Sequence, residues 1–115
     1  MQLDLSDTKV SGNLGHLQLA KQLRQLRLGN TLVSGGLKTL KGAKELQHLD
    51  IHETNVSGSM QALKTHRRLV KLDLSYTPVR GDLQSLHAAM QEMSQLNLSN
   101  TQVGGQLYDL RQARR

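Results

Sequence analysis

The stretch Leu49-Asp50-Ile51-His52-Glu53-Thr54-Asn55-Val56-Ser57-Gly58 decides the fold, because its pattern recurs along the chain. Its apolar pair returns as Leu3-Asp4-Leu5, Leu26-Arg27-Leu28, Leu72-Asp73-Leu74 and Leu96-Asn97-Leu98, so that consecutive copies are 23, 23, 23 and 24 residues apart. Three residues after each pair stands a threonine: Thr8, Thr31, Thr54, Thr77 and Thr101. Two further on comes Val10, Val33, Val56, Val79 or Val103, and two beyond that Gly12, Gly35, Gly58, Gly81 or Gly105. Each copy then carries a second apolar set: Leu14, Leu37, Met60, Leu83 and Leu107, followed three residues later by Leu17, Leu40, Leu63, Leu86 and Leu110. Self-similarity at a fixed period of this length is the mark of a stacked repeat architecture.

Composition agrees with the period. The chain has 115 residues, no Phe, Trp or Cys, only 2% aromatics and 23 leucines, so its core must be aliphatic and mostly leucine. The missing cysteines exclude a disulfide scaffold, a thiolate metal site and a cysteine nucleophile. No apolar run approaches the roughly 20 residues of a membrane span, and Met1 to Leu5 does not read as a signal peptide, which favours an intracellular setting.

A Leu-x-Leu strand points both leucines to one side and the intervening residue to the other, because side chains alternate at period two. One such strand cannot bury its apolar face alone, whereas a stack of coils can. The Thr column (Thr8, Thr31, Thr54, Thr77, Thr101) falls inside the stack, and a buried hydroxyl needs a partner, so each is expected to bond a main-chain group of a turn. Glycine at the end of that turn suits a positive φ or a close approach between coils. The Leu-x-x-Leu spacing suits a short 3₁₀ or α turn. Ala20, Ala43, Ala89 and Ala113 form a small-residue row in which His66 is the exception, expected to turn outward.

The pattern L-x-x-L-x-L-x-x-T-x-V-x-G-x-L-x-x-L resembles a leucine-rich repeat over the whole chain. That resemblance implies an α/β solenoid with a curved parallel sheet on its concave face and short 3₁₀ or α turns on its convex face. The T-x-V-S-G-x-L turn is most similar to the plant-type subclass, N-x-L-S-G-x-I-P. It departs in having Thr for Asn and in lacking a proline after Leu14, Leu37, Met60, Leu83 and Leu107. A single domain is expected, with repeats at about 1–23, 24–46, 47–69, 70–93 and 94–115 and no capping segment. Leucines bared at the ends by missing caps would fit a piece of a longer array, or end-to-end packing within a larger assembly.

In-register repeats arrange equivalent residues in columns roughly 4.8 Å apart. The concave columns read Gln2, Gln25, His48, Lys71, Gln95; then Asp4, Arg27, Asp50, Asp73, Asn97; then Ser6, Gly29, His52, Ser75, Ser99; then Asp7, Asn30, Glu53, Tyr76, Asn100. The resemblance implies a non-enzymatic protein–protein interaction module that recognises its partner here, and the residues expected to carry this are Arg27, His48, Asp50, His52, Lys71, Asp73, Tyr76 and Asn97. The neighbouring Asp50 and Asp73 with His48 and His52 also have the donor types of a divalent metal or acid–base site. A solvated surface on which Arg27 and Lys71 neutralise the carboxylates is the preferred reading, because catalysis requires a water-excluding pocket. No catalytic residue, cofactor or metal is therefore assigned.

Charge is unevenly spread over the net +6. Segments 13–24, 36–47, 59–71, 82–95 and 106–115, taken as convex, hold twelve basic and four acidic residues. Lys64, Arg67 and Arg68 form their densest patch together with the tail Arg111 to Arg115. A basic face attracts acidic proteins, anionic lipid or nucleic acid, but the scarcity of stacking aromatics argues against nucleic acid, and a solvated, solubilising face is the preferred reading. Asn55-Val56-Ser57 and Asn97-Leu98-Ser99 match the N-glycosylation triplet and are read as silent, and no phosphate loop, G-x-S-x-G or H-E-x-x-H occurs.

Overall fold

A computed structural model describes residues 1–106, and the candidate core, tail and small-row positions beyond them, Leu107, Leu110, Ala113 and Arg111 to Arg115, lie outside the described residues. Each repeat makes one coil. The Leu-x-Leu segments are short strands, β1 (Gln2–Asp4), β3 (Gln25–Arg27), β5 (His48–Asp50), β7 (Lys71–Asp73) and β9 (Gln95–Asn97). They align as one parallel sheet in sequence order, with Leu3, Leu26, Leu49, Leu72 and Leu96 in register. The 24-residue spacing causes no slip, because the extra residue is absorbed across the sheet, where the fourth coil alone among those described adds a second 3₁₀ turn, Ala88–Gln91.

A second parallel sheet departs from the expectation of one sheet and a loop. It is built from the T-x-V-S-G stretch: β2 (Ser11–Asn13), β4 (Leu32–Gly36), β6 (Asn55–Ser59), β8 (Val79–Asp82) and β10 (Gln102–Gly104). Its register is offset by two residues per coil, pairing Gly12 with Val33, Gly35 with Val56, Gly58 with Val79 and Gly81 with Val103. The glycines at these positions lie against the main chain of the preceding coil, where Cβ atoms on Gly35, Gly58 and Gly81 would stand 2.9–3.3 Å from the nitrogens of Leu14, Leu37 and Met60. After β2, β4, β6 and β8 the chain turns through a 3₁₀ segment, Leu14–Leu17, Leu37–Leu40, Met60–Leu63 and Leu83–Leu86 respectively. Asn13, Ser59 and Asp82 cap three of these by accepting an N–H of the first turn.

Between the sheets and the turns lies one aliphatic core, in which Leu23, Leu26, Leu37, Leu40, Leu46, Met60, Leu63 and Leu69 are fully buried. Fully burying such a side chain contributes about 1.5–3 kcal/mol. Thr31, Thr54 and Thr77 are buried beside them. All five threonine hydroxyls donate to the carbonyl three residues back, on Leu5, Leu28, Ile51, Leu74 and Leu98, at 2.6–2.8 Å. Thr54 Oγ1 also accepts the Val56 N–H at 3.4 Å. Replacing Thr54 by Val keeps the shape and strands both groups, so unfolding is expected to become easier by about 1–3 kcal/mol. An unchanged urea midpoint would remove the hydroxyl from the account of the core.

His66 does not turn outward. It is fully buried in the small-residue row, and its Nε2–H donates to the Leu40 carbonyl of the preceding coil at 2.9 Å. That carbonyl, at the end of a 3₁₀ turn, offers the partner that makes burial of a polar ring tolerable. Burial holds the imidazole below its ordinary pKa, with the Lys44 charge acting in the same direction and the Leu40 bond opposing it.

Candidate functional site

The sheet β1-β3-β5-β7-β9 presents the residues that flank its central leucines to solvent because those leucines are committed to the core. In-register pairing sets Arg27 beside Asp50, Asp50 beside Asp73 and Asp73 beside Asn97, with His48 beside Lys71 one row away. These six side chains line one shallow depression of about 350 Å³, together with Leu49, Leu72 and Gln95. Lys71, counted above within a convex segment, begins β7 and belongs to this face.

His52 and Tyr76 stand outside the lining, on the turn that follows the strand. The His52 imidazole bonds the Asp50 carboxylate through Nδ1 at 2.5 Å and lies 4.0 Å from Asp73 Oδ2. A Cβ on Gly29 would overlap this ring, so the neighbouring coil makes room for it by lacking a side chain. The bond to Asp50 raises the His52 pKa against the opposing effect of partial burial, and the charges of Asp50, Asp73 and Glu53 add to the rise. His48 is shifted the other way, first by burial and then by the Lys71 and Arg27 charges. The depression therefore combines two fixed cations, two carboxylates and the His48 imidazole, while His52 on the adjoining turn responds to the same charges in the opposite direction.

A structural role of the carboxylates went unread in the sequence. Asp4, Asp73 and Asn97 each accept both the N–H and the hydroxyl of a serine two residues on, at 3.0–3.1 and 2.6–2.8 Å. Asp50 accepts the His52 N–H at 3.1 Å in the same way. The signal was the recurring Asp/Asn-x-Ser, which satisfies a turn donor locally. In Asn97, the first residue of one glycosylation triplet, these bonds engage the side-chain oxygen.

The fourth column also needs restating. Asp7, Asn30, Glu53, Tyr76 and Asn100 all have left-handed backbone, φ 52–59°. Their N–H groups carry the ladder onward, as from Asn30 to the His52 carbonyl (2.8 Å) and from Tyr76 to the Ser99 carbonyl (3.0 Å). Asp and Asn tolerate that conformation, whereas a bulky aromatic there is an outlier. Tyr76 nonetheless occupies it and is 58% exposed.

Asp50, His52 and Asp73 offer one ligand atom each, all within 4.8 Å of one another. Their donor set suits a divalent cation, which would have to displace the proton shared by His52 and Asp50 beside Arg27 and Lys71.

The basic patch divides. Arg68 pairs with Glu45 on the preceding coil at 3.6 Å, the arginine exposed and the glutamate half-buried, an interaction of little net value. Arg67 is exposed, and Lys64 lines a separate groove.

Comparison with solved structures places the chain in the leucine-rich-repeat fold. The ectodomain of the plant membrane receptor kinase GASSHO1/SCHENGEN3 from Arabidopsis thaliana, in complex with CASPARIAN STRIP INTEGRITY FACTOR 2, superposes with a TM-score of 0.84 at 24% identity, over 97% of this chain and 14% of that one. An internalin from Listeria monocytogenes gives 0.80 at 19% identity, over 98% and 32%. The ectodomain of the receptor kinase SOBIR1 from Arabidopsis thaliana gives 0.80 at 21%, over 90% and 58%. The chain thus spans from about one-seventh to just over half the length of these neighbours. No family model matches it, and no curated protein does. Among the described residues no helix is long and apolar enough to cross a membrane.

Proposed function

We propose that the chain is a non-enzymatic protein-interaction module that receives its partner on the concave sheet. The observation that carries this is the gathering of Arg27, His48, Asp50, Lys71, Asp73 and Asn97 around one open depression on a rigid leucine floor. Two of the structural neighbours are plant receptors solved in complex with a further molecule, the receptor kinase GASSHO1/SCHENGEN3 with CASPARIAN STRIP INTEGRITY FACTOR 2 and the peptide hormone receptor RGFR1 with RGF2. That precedent supports the same use here. An open surface of mixed charge suits complementary recognition better than chemistry that needs water excluded.

Tyr76 extends the surface. An exposed aromatic kept in a strained backbone supplies rigid contact area of the kind that anchors interfaces.

The test compares proteins retained from a lysate of the source cells by the wild type and by variants. Asp50→Asn with Asp73→Asn keeps the turn-capping oxygen, as Asn97 does, and removes two charges, so retention of the specific partner is expected to fall about tenfold or more with the fold intact. Asp50→Lys with Asp73→Lys should abolish it, at an added stability cost of about 1–2 kcal/mol for the lost turn bonds. Tyr76→Asn should weaken retention while raising stability by about 0.5–1 kcal/mol through relief of backbone strain. If charge reversal at Lys64, Arg67 and Arg68 proves the more damaging change, the convex face is the recognition surface instead.

A further inference from the structure

A second groove, which shares no residue with the concave depression, crosses the second, third and fourth coils where the second sheet meets the turns that follow it. It has a volume of about 530 Å³ and is lined by Lys38, Lys41, Lys64 and Arg80 together with Ser57, Ser59 and neighbouring small residues. No carboxylate lines it, and among the described residues none of these four cations forms an ion pair. Lys41 and Lys64 occupy the same phase of adjacent repeats. Arg80 breaks the repeat, standing where the first three coils carry Ser11, Ser34 and Ser57, and in β8 it pairs with Ser59 of β6. The Ser59 oxygen accepts the Gln61 N–H at 3.1 Å, which leaves its own O–H to donate. Four like charges around one hollow repel one another, and a bound multivalent anion relieves that repulsion.

The dimensions select the anion. Three coils span roughly 10 Å at the strand spacing. An extended acidic peptide places same-side carboxylates roughly 6.6 Å apart, so about two would fit, too few for four cations. A nucleic acid would need the positive track to continue and stacking aromatics beside it. Instead, the adjoining hollow is lined by Asp82, whose carboxylate caps the next turn, and by a single imidazole, His87, with no Phe, Tyr or Trp in either hollow. We infer that this groove binds a compact anion bearing several phosphoryl groups, with Arg80 and the Ser59 hydroxyl supplying directed hydrogen bonds and the three lysines supplying charge.

Isothermal titration of the full chain with inorganic tripolyphosphate at low ionic strength tests this. Saturable one-to-one binding is expected. Arg80→Ser, which restores the residue of the first three coils, should weaken it about tenfold, the loss of one charge-assisted contact. Lys41→Ala with Lys64→Ala should weaken it further, and Lys44→Ala with Arg67→Ala, basic positions outside the groove, should change it less than about twofold. Vesicles of phosphatidylcholine with phosphatidylinositol 4,5-bisphosphate distinguish the source of the phosphates. Pelleting that tripolyphosphate competes away identifies a lipid headgroup, whereas binding in solution without pelleting identifies a soluble ligand. Absence of saturable binding overturns the inference, as does an equal loss in Arg80→Ser and in the Lys44/Arg67 variant.

Discussion

Leu49→Ala is expected to lower the unfolding free energy by about 3–5 kcal/mol, at the upper end of large-to-small core changes. Leu49 is 1% exposed and lies in register between Leu26 and Leu72, so coils on both sides close over the space that truncation opens. Leu3 occupies the same position in the first coil and pairs only with Leu26, remaining partly exposed. Leu3→Ala should therefore cost about 1–2 kcal/mol, since its transfer from water is less complete. The contrast follows from an architecture whose stability is a sum over coils and their nearest-neighbour interfaces. Urea unfolding followed by circular dichroism measures both variants. Equal costs would mean that the leucine column does not couple neighbouring coils. Because Leu49 also floors the concave depression, its truncation should weaken partner retention in the assay above, whereas Leu3→Ala should leave it unchanged.

What the sequence made legible was whatever recurs in a fixed column with a side chain that decides its own environment. Leucines at a 23-residue step forced the stack, and the stack forced the concave register, so the neighbours of Asp50 could be written down before any coordinates. The threonine bonds were legible for the same reason: a hydroxyl enclosed by leucines must find a main-chain partner. The second sheet was not, because Ser-Gly segments carry no apolar alternation and their pairing is made by backbone alone. Its two-residue offset is equally invisible to a method that assumes equivalent residues sit side by side. The burial of His66 is not legible because its polarity argues for the surface, and only the stack sets the Leu40 carbonyl of the preceding coil against its ring. The side-by-side placement of Arg27, Asp50, Asp73 and Asn97 follows from the register, whereas the capping of turns by Asp4, Asp73 and Asn97 is written only locally, as Asp/Asn-x-Ser. The groove at Lys38, Lys41, Lys64 and Arg80 draws on three coils and both the second sheet and the turns, so no linear segment announces it.

The glycine column gives the second large effect, and two of its members separate the causes. Gly12 and Gly35 have similar backbones, φ 122° and 110°, which L side chains rarely adopt. A Cβ on Gly12 would meet nothing within 4 Å. One on Gly35 would lie 2.9 Å from the Leu14 nitrogen and 2.7 Å from Asn13 Oδ1, an oxygen already fixed by the Gly15 N–H at 2.7 Å. Gly12→Ala should thus carry only the conformational cost, about 1–3 kcal/mol. Gly35→Ala should add about 1–3 kcal/mol more for forcing the second and first coils apart, since main chain cannot move aside as a flexible side chain can. Denaturant midpoints for the pair read the difference directly. Identical losses would show that these glycines serve the turn alone, and that the close approach of coils along the second sheet is not what requires them.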